Sequence, residues 1–188
     1  MPARDLSDRR VLCSVGGSVA AYKACDVITE LRRGGADVRV AMTRAATRFV
    51  SPRLLQSLTG HPVAARMWDG GGAENAMPHI ELGSWAEVHV VVAASADLIA
   101  RLALGLADDV VTATALASRC PLLIAPAMET AMWEHPATQA NTAVLRSRSA
   151  GFIGPVAGRL ASGREGLGRM AEVGEIVDAV SAALAGQG

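Results

Sequence analysis

The sequence predicts an α/β fold in which a doubly wound parallel sheet is sandwiched by helices. Short runs that are apolar at consecutive positions, such as RRVLCSV, EVHVVVAA and PLLIAPA, read as strands buried on both faces. These runs alternate with longer stretches of helical periodicity, which indicates parallel strands joined by helical crossovers. The length, 188 residues, suits one domain with a sizeable core, taken here as 1–188 with its core over about 9–180. Sheets of this kind are Rossmann-like or flavodoxin-like.

RRVLCSV is the first strand, and GGSVAAYKACDVITELRRGG is a helix closed by Gly34 and Gly35. ADVRVAMT is the second strand. RAATRFVSPRLLQSLTG holds one or two helices broken at Pro52, because proline lacks the N–H a helix interior needs. PVAARMW is a candidate strand, and DGGGAENAMP, which has no periodicity, is a flexible loop. HIELGSWA forms a short helix before the buried strand EVHVVVAA, and SADLIARLALGLADDVVTATALAS is one long or broken helical stretch. PLLIAPA is another buried strand, TQANTAVLRSRSAG a helix ending at glycine, and FIGPV a last short strand. AGRLASGREGLGRM reads as a loop and EVGEIVDAVSAALAG as the terminal helix.

Composition narrows the function classes. Lys plus Arg equals Asp plus Glu at 18 each, so no whole-protein field favours nucleic acid or an anionic membrane. The N-terminal MPARDLSDRR is charged rather than apolar and does not read as a signal peptide, and no apolar run reaches the length of a membrane span. A cytoplasmic protein is expected. Cys13, Cys25 and Cys120 are odd in number and sit in apolar settings, as small buried hydrophobes of a reducing compartment would. No Cys/His spacing resembles a zinc site, and no metal is expected. Hydrophobic residues make up 51% of a chain without a membrane segment, more than one small domain readily hides, which points to a homo-oligomer.

In such sheets ligands bind beyond the carboxyl ends of the strands, which nominates Gly16-Gly17-Ser18, Thr43, Ala94 to Asp97, and Met128-Glu129. The turn SVGGSVAAYK offers free backbone N–H groups at a helix start, which suit a phosphate or simply a tight turn. Its spacing matches neither Gly-x-Gly-x-x-Gly nor the P-loop pattern. His79 stands between the glycine-rich loop and a helix start, open to either a structural or a catalytic role. His89 falls within a buried strand, and His61 and His135 precede prolines in turns. No Gly-x-Ser-x-Gly elbow accompanies the histidines. The residues alone describe an α/β domain that binds a small phosphorylated ligand.

HIELGSWA, AASADLIARLALGLADDVVTATALA, PAMETAMW and GRLASGREGLGRM, in that order, resemble the homo-oligomeric flavin-containing cysteine decarboxylases over roughly residues 9 to 180. That family includes phosphopantothenoylcysteine decarboxylases and the peptidyl-cysteine decarboxylases of lantibiotic-type peptide biosynthesis. The resemblance implies FMN, with its phosphate near Gly17, Ser18 and Thr43, and further contacts from Val19 and Phe49. It lays the flavin against Ser95, Ala96, Asp97 and the Met128 turn, at an interface within a trimer or a dodecamer built from trimers. It makes His79 and Glu129 the catalytic candidates, and Met132, Trp133, Ser162 and Arg164 the substrate contacts. Oxidising the cysteine side chain to a thioaldehyde provides the electron sink that lets carbon dioxide leave. A histidine suits the accompanying loss of the thiol proton.

Two departures from the family pattern bear on the substrate. The motif normally reads Pro-Ala-Met-Asn-x-x-Met-Trp, with an asparagine for the substrate carboxylate, and here Glu129 replaces it. Two ionised carboxylates about 4 Å apart at an effective dielectric of about 20 repel by roughly 4 kcal/mol. Glu129 therefore carries a proton, points elsewhere, or meets a substrate presented differently. Phosphopantothenoylcysteine decarboxylases also commonly carry a cysteine where this chain has Ser162, a residue used to reduce the enethiol to a saturated thiol. Serine is a poor substitute because a hydroxyl is far less acidic than a thiol. The chain also ends at residue 188, without the ligase domain of the bacterial coenzyme A enzyme. The expectation is a peptidyl-cysteine decarboxylase acting on a precursor peptide with a C-terminal cysteine and stopping at the enethiol. The coenzyme A enzyme and a non-catalytic, flavin-binding regulatory protein are the alternatives. Arg159, Arg164 and Arg169 of the late loop either grip a substrate anion or form a solvated surface.

Overall fold

The structure, a computed structural model, describes residues 5–68 and 77–186. The charged start of the chain (1–4) and most of the expected glycine-rich loop (69–76) lie outside the described residues.

Six parallel strands form the main sheet: β1 (Arg10–Val15), β2 (Asp37–Met42), β3 (Val63–Ala64), β4 (Val88–Ala94), β5 (Leu122–Pro126) and β6 (Gly151–Phe152). Their order is β3-β2-β1-β4-β5-β6. This is the Rossmann order, and it separates the two topologies that the sequence left together. The direction of winding reverses between β1 and β4, so the crevice for a ligand opens beyond the ends of those two strands.

Alternation along each strand divides the core. Val11, Cys13, Val15, Val38, Val40, Val88 and Val90 face a layer built by α1 (Ala24–Arg33), α2 (Pro52–Thr59) and α8 (Val173–Ala185). Leu12, Ala41, Val91 and Ile124 face α3 (Pro78–Trp85), α4 (Ala96–Leu104), α5 (Val110–Ala117) and α7 (Pro136–Ser147). All seven residues of β4 are buried, which explains its unbroken apolar run. Large side chains such as Ile28, Leu31, Leu98, Ile99 and Ile176 are fully buried, each contributing roughly 1.5–3 kcal/mol.

Local chemistry sets the boundaries. Pro52 starts α2 rather than breaking a helix, because the first helical position needs no N–H partner. The long stretch after β4 splits into α4 and α5, and Asp109 restarts the second helix by accepting the Val111 and Thr112 N–H groups. His135 caps α7, its Nδ1 accepting from Ala137 N–H at 3.2 Å. His61 pairs through Nε2 with Asp37 at 2.7 Å, and buried His89 meets the Ser14 hydroxyl at 2.7 Å.

Three element expectations are corrected. PVAARMW contributes only the two-residue edge strand β3. FIGPV divides at the cis Gly154–Pro155 peptide into β6 and the start of β7 (Val156–Arg159). The late stretch taken for a loop is an antiparallel hairpin of β7 and β8 (Glu165–Arg169), separate from the main sheet. Burial pushes the Cys13 thiol up to about 12, in keeping with a small core hydrophobe, and all three cysteines are free. Among the described residues, no helix is long and apolar enough to cross a membrane, and no cluster of His, Cys, Asp and Glu could hold a metal ion.

Candidate active site

Two adjoining cavities open at the carboxyl edge of the sheet. The first, about 700 Å³, is lined by Gly17 after β1, Thr43, Arg44 and Arg48 after β2, and Ser95, Asp97 and Arg101 at the start of α4. Its walls depend on close backbone approach. Gly16 N–H donates to the Val92 carbonyl at 2.8 Å, and a Cβ at Gly17 would collide with that of Ala45. Ala93 holds a left-handed conformation, φ +59°, at a bulge between β4 and β5, which turns Val92 and Ala93 to the same side of the sheet. The bulge stands immediately before Ser95, whose hydroxyl accepts from Leu98 N–H at 3.3 Å and fixes the start of α4.

Charge in this cavity is divided. Arg101 engages Asp97 at 3.9 Å, Asp109 at 2.7 Å and also Asp108, so one guanidinium gathers the three acids on the α4 side of the cavity. Arg44 and Arg48 have no acidic partner among the described residues, and they stand beside Thr43 and Gly17. A cavity of this size with a glycine turn, hydroxyls, a helix start and two guanidiniums outside any ion pair on the Thr43 side, away from the three acids, fits a mononucleotide whose phosphate lies toward Thr43.

The second cavity, about 460 Å³, is lined by Ser18, Val19, Tyr22 and Lys23 from the turn after β1, and by Met128 and Glu129 after β5. Arg159, Leu160, Ala161 and Arg169 of the hairpin complete it. The Ser18 hydroxyl makes no capping bond. β8 docks directly on the turn after β5, where Met128 N–H donates to the Gly168 carbonyl at 3.0 Å and a Cβ at Gly168 would strike the Met128 carbonyl oxygen. Glu129 begins the short helix α6 (Thr130–Trp133), yet its carboxylate makes no capping bond and instead accepts the Ser162 hydroxyl at 3.0 Å. Arg169 is held by Glu172 at 2.7 Å, whereas Lys23 and Arg159 have no acidic partner among the described residues.

The structure gathers Gly17, Thr43, Ser95 and Asp97 in one cavity and Ser18, Val19, Met128 and Glu129 in the other, with Ala96 at the start of α4 between strand end and helix. Five candidates stand apart. Trp133 is 7% exposed and packs in the core at the end of α6. Phe49 is half exposed and lines neither cavity, and Met132 and Arg164 are exposed outside both. His79, at the second position of α3, also lines neither; its Nδ1 is buried without a hydrogen-bond partner. Tyr22, Lys23, Arg44 and Arg48 were not singled out in the sequence, where their only signal is proximity to strand ends.

Fold and site together define a Rossmann-type α/β protein with two adjoining cavities at the carboxyl edge of its sheet, the larger of a size and lining that fit a mononucleotide. The chain belongs to the Flavoprotein family, whose model matches residues 1–185. It is 46% identical over 168 residues to the coenzyme A biosynthesis bifunctional protein CoaBC of Mycobacterium tuberculosis (89% of this chain, 40% of the relative). Against the protein of the same name from Escherichia coli K12 it is 45% identical over 173 residues (92% and 42%). The chain thus spans about two fifths of the length of these curated relatives. Among solved structures it is similar to the FMN-dependent cysteine decarboxylase SpaF (34% identity, TM-score 0.83, 96% of this chain and 98% of that one). It is also similar to a cysteine-to-serine mutant of PPC decarboxylase complexed with pantothenoylaminoethenethiol (32%, TM-score 0.80, 92% and 96%). The resemblance to flavin-containing cysteine decarboxylases is borne out.

Proposed function

We propose that this chain binds FMN in the larger cavity and decarboxylates the cysteine carboxylate of phosphopantothenoylcysteine in the smaller one. The observation that carries the substrate is the 44–46% identity, over 89% or more of the chain, to coenzyme A biosynthesis proteins. It outweighs the sequence expectation of a peptide substrate. Gly17, Thr43, Arg44 and Arg48 hold the FMN phosphate, and Ser95, Ala96 and the Met128 turn border the ring. Bound there, FMN supplies a two-electron acceptor for the carbon–sulfur unit of the substrate. Lys23 and Arg159 attract the substrate's anionic groups, and Glu129 lies where the carboxylate reacts. His79 takes the thiol proton. Because it stands outside the cavity of its own chain, flanked by the exposed apolar side chains of Met77 and Ile80, a second copy delivers it. Self-association follows from that placement, and the family resemblance supports a trimer or a dodecamer of trimers.

A second reading, oxidation of a C-terminal peptidyl cysteine to an enethiol, is favoured by Ser162, which stands where the family resemblance places a cysteine that reduces the enethiol. Purified protein reconstituted with FMN and given phosphopantothenoylcysteine or cysteine-terminated peptides separates the two. Loss of carbon dioxide from the small molecule alone supports the first reading, and loss from peptides alone supports the second.

A further inference from the structure

Glu129 and Ser162, the two positions that depart from the resembled family's pattern, touch each other. The Ser162 hydroxyl donates to Glu129 Oε2 at 3.0 Å across the 33 residues that separate them. The contact is built by the backbone, since β8 docks on the turn after β5 through the Met128–Gly168 hydrogen bond. Space for a side chain on β8 is absent there: a Cβ at Gly166 would strike Thr130 Oγ1, and one at Gly168 the Met128 carbonyl. Among the residues of one chain that line the smaller cavity, Glu129 is the one carboxyl; the other ionisable side chains are Tyr22, Lys23, Arg159 and Arg169, and the His79 of a second copy is engaged at the substrate sulfur in the reading above. A guanidinium does not give up its proton at working pH, and a phenol or ammonium is a weaker acid than a carboxyl by several powers of ten.

We propose that Glu129, oriented by Ser162, is the proton donor that carries the reaction past the enethiol to the saturated thiol. This rests on the cysteine-decarboxylase reading above. A substrate carboxylate entering beside Glu129 traps one proton between the two carboxyl groups, because like charges in one site do not both ionise. Ser162 occupies Oε2, which leaves Oε1 to carry that proton. When the bond from Cα to the carboxylate breaks, its electron pair moves toward the thioaldehyde sulfur, carbon dioxide leaves, and an enethiolate forms. The trapped proton stays on Glu129. Transfer of that proton to Cα forms a C–H bond and restores the carbon–sulfur double bond. From FMN bound in the larger cavity the sulfur-bearing carbon would take back, as hydride, the two electrons given up in the first oxidation, and the thiolate so formed recovers from His79 the proton that the thiol gave up. The sum is cysteine carboxylate plus one proton giving thiol plus carbon dioxide, with no outside oxidant or reductant. Glu129 touches the reacting carbon, and Ser162 is a positioning residue.

The test is anaerobic turnover of phosphopantothenoylcysteine by the FMN-loaded protein, with product masses and the visible flavin spectrum recorded together. Wild type is expected to give saturated thiol and to return to the oxidised yellow spectrum. Glu129→Gln is expected to shift the product to enethiol by at least tenfold in the thiol-to-enethiol ratio and to leave the flavin bleached. Ser162→Ala should shift the ratio in the same direction, and Ser162→Thr should restore it. In cofactor-free protein, Ser162→Ala should speed amide exchange at residues 161–163 several-fold. Enethiol as the sole wild-type product, saturated thiol from Glu129→Gln at the wild-type ratio, or unchanged exchange in Ser162→Ala overturns the proposal. If wild type leaves phosphopantothenoylcysteine intact, the substrate assignment fails separately, and cysteine-terminated peptides decide: saturated thiol sustains the donor role, while enethiol alone or no turnover overturns it.

Discussion

Acidification should weaken the fold through one buried side chain, His89. It lies in the middle of the sheet on β4, fully buried, with Nε2 against the Ser14 hydroxyl at 2.7 Å and Nδ1 unpartnered. Burial holds its pKa down from 6.5 to about 4, because the imidazolium would lose its hydration with no carboxylate beside it. The unfolded chain therefore binds a proton below about pH 6.5 that the folded chain refuses until about pH 4. Stability from this group is fully present above pH 6.5, falls as pH drops through that window, and levels off below it. The fall from 6.5 to about 4, at about 1.4 kcal/mol per pH unit, gives a loss of about 3.5 kcal/mol, a large share of a marginal domain's stability. Urea denaturation of cofactor-free protein at intervals between pH 7 and pH 4, compared with His89→Gln, isolates the contribution. The variant should be less stable at pH 7 and much flatter across the window. Equal pH slopes in the two proteins would refute the assignment of acid sensitivity to His89.

Three further outcomes follow from the site. His79→Asn should retain FMN while losing decarboxylation by about 10²–10⁴-fold, the range for general acid–base catalysis, and near-normal turnover would move the proton role elsewhere. Gly17→Val places a side chain against Ala45 and should weaken FMN binding by at least about tenfold, or ~1.4 kcal/mol, read by flavin fluorescence titration; unchanged affinity would remove this turn from the site. Arg159→Met should raise KM for an anionic substrate by roughly 10–100-fold with kcat little changed, as expected for a charge-assisted hydrogen bond worth ~1.5–3 kcal/mol. An unchanged KM would place the anion elsewhere.

The main sheet was legible in the sequence because its strands are buried on both faces, and β4 has no polar residue except His89 to interrupt its apolar run. The hairpin was not legible. Its glycines at 158, 166 and 168 erase the alternation that marks a strand, since they leave room for the Arg169 side chain, the Thr130 side chain and the Met128 carbonyl respectively. Strand-end reasoning found Gly17, Thr43, Ser95 and Met128, because topology alone puts those positions at the crevice. It did not foresee that Trp133, at the end of α6, packs in the core, and it passed over Arg44 and Lys23, which lie in turns where spacing carries no periodic signal. The meeting of Glu129 with Ser162 required the hairpin's docking and could not be read from residues 33 apart.

The central claim, that FMN held at this sheet edge serves to decarboxylate a pantothenoyl-linked cysteine, is tested most directly by competition. Protein loaded with FMN is given equimolar phosphopantothenoylcysteine and a cysteine-terminated peptide under anaerobic conditions, and both are followed by mass spectrometry. The account predicts that the small molecule loses carbon dioxide while the peptide is unchanged. Loss from the peptide with the small molecule intact, or protein that takes up no flavin and turns over neither, would contradict it.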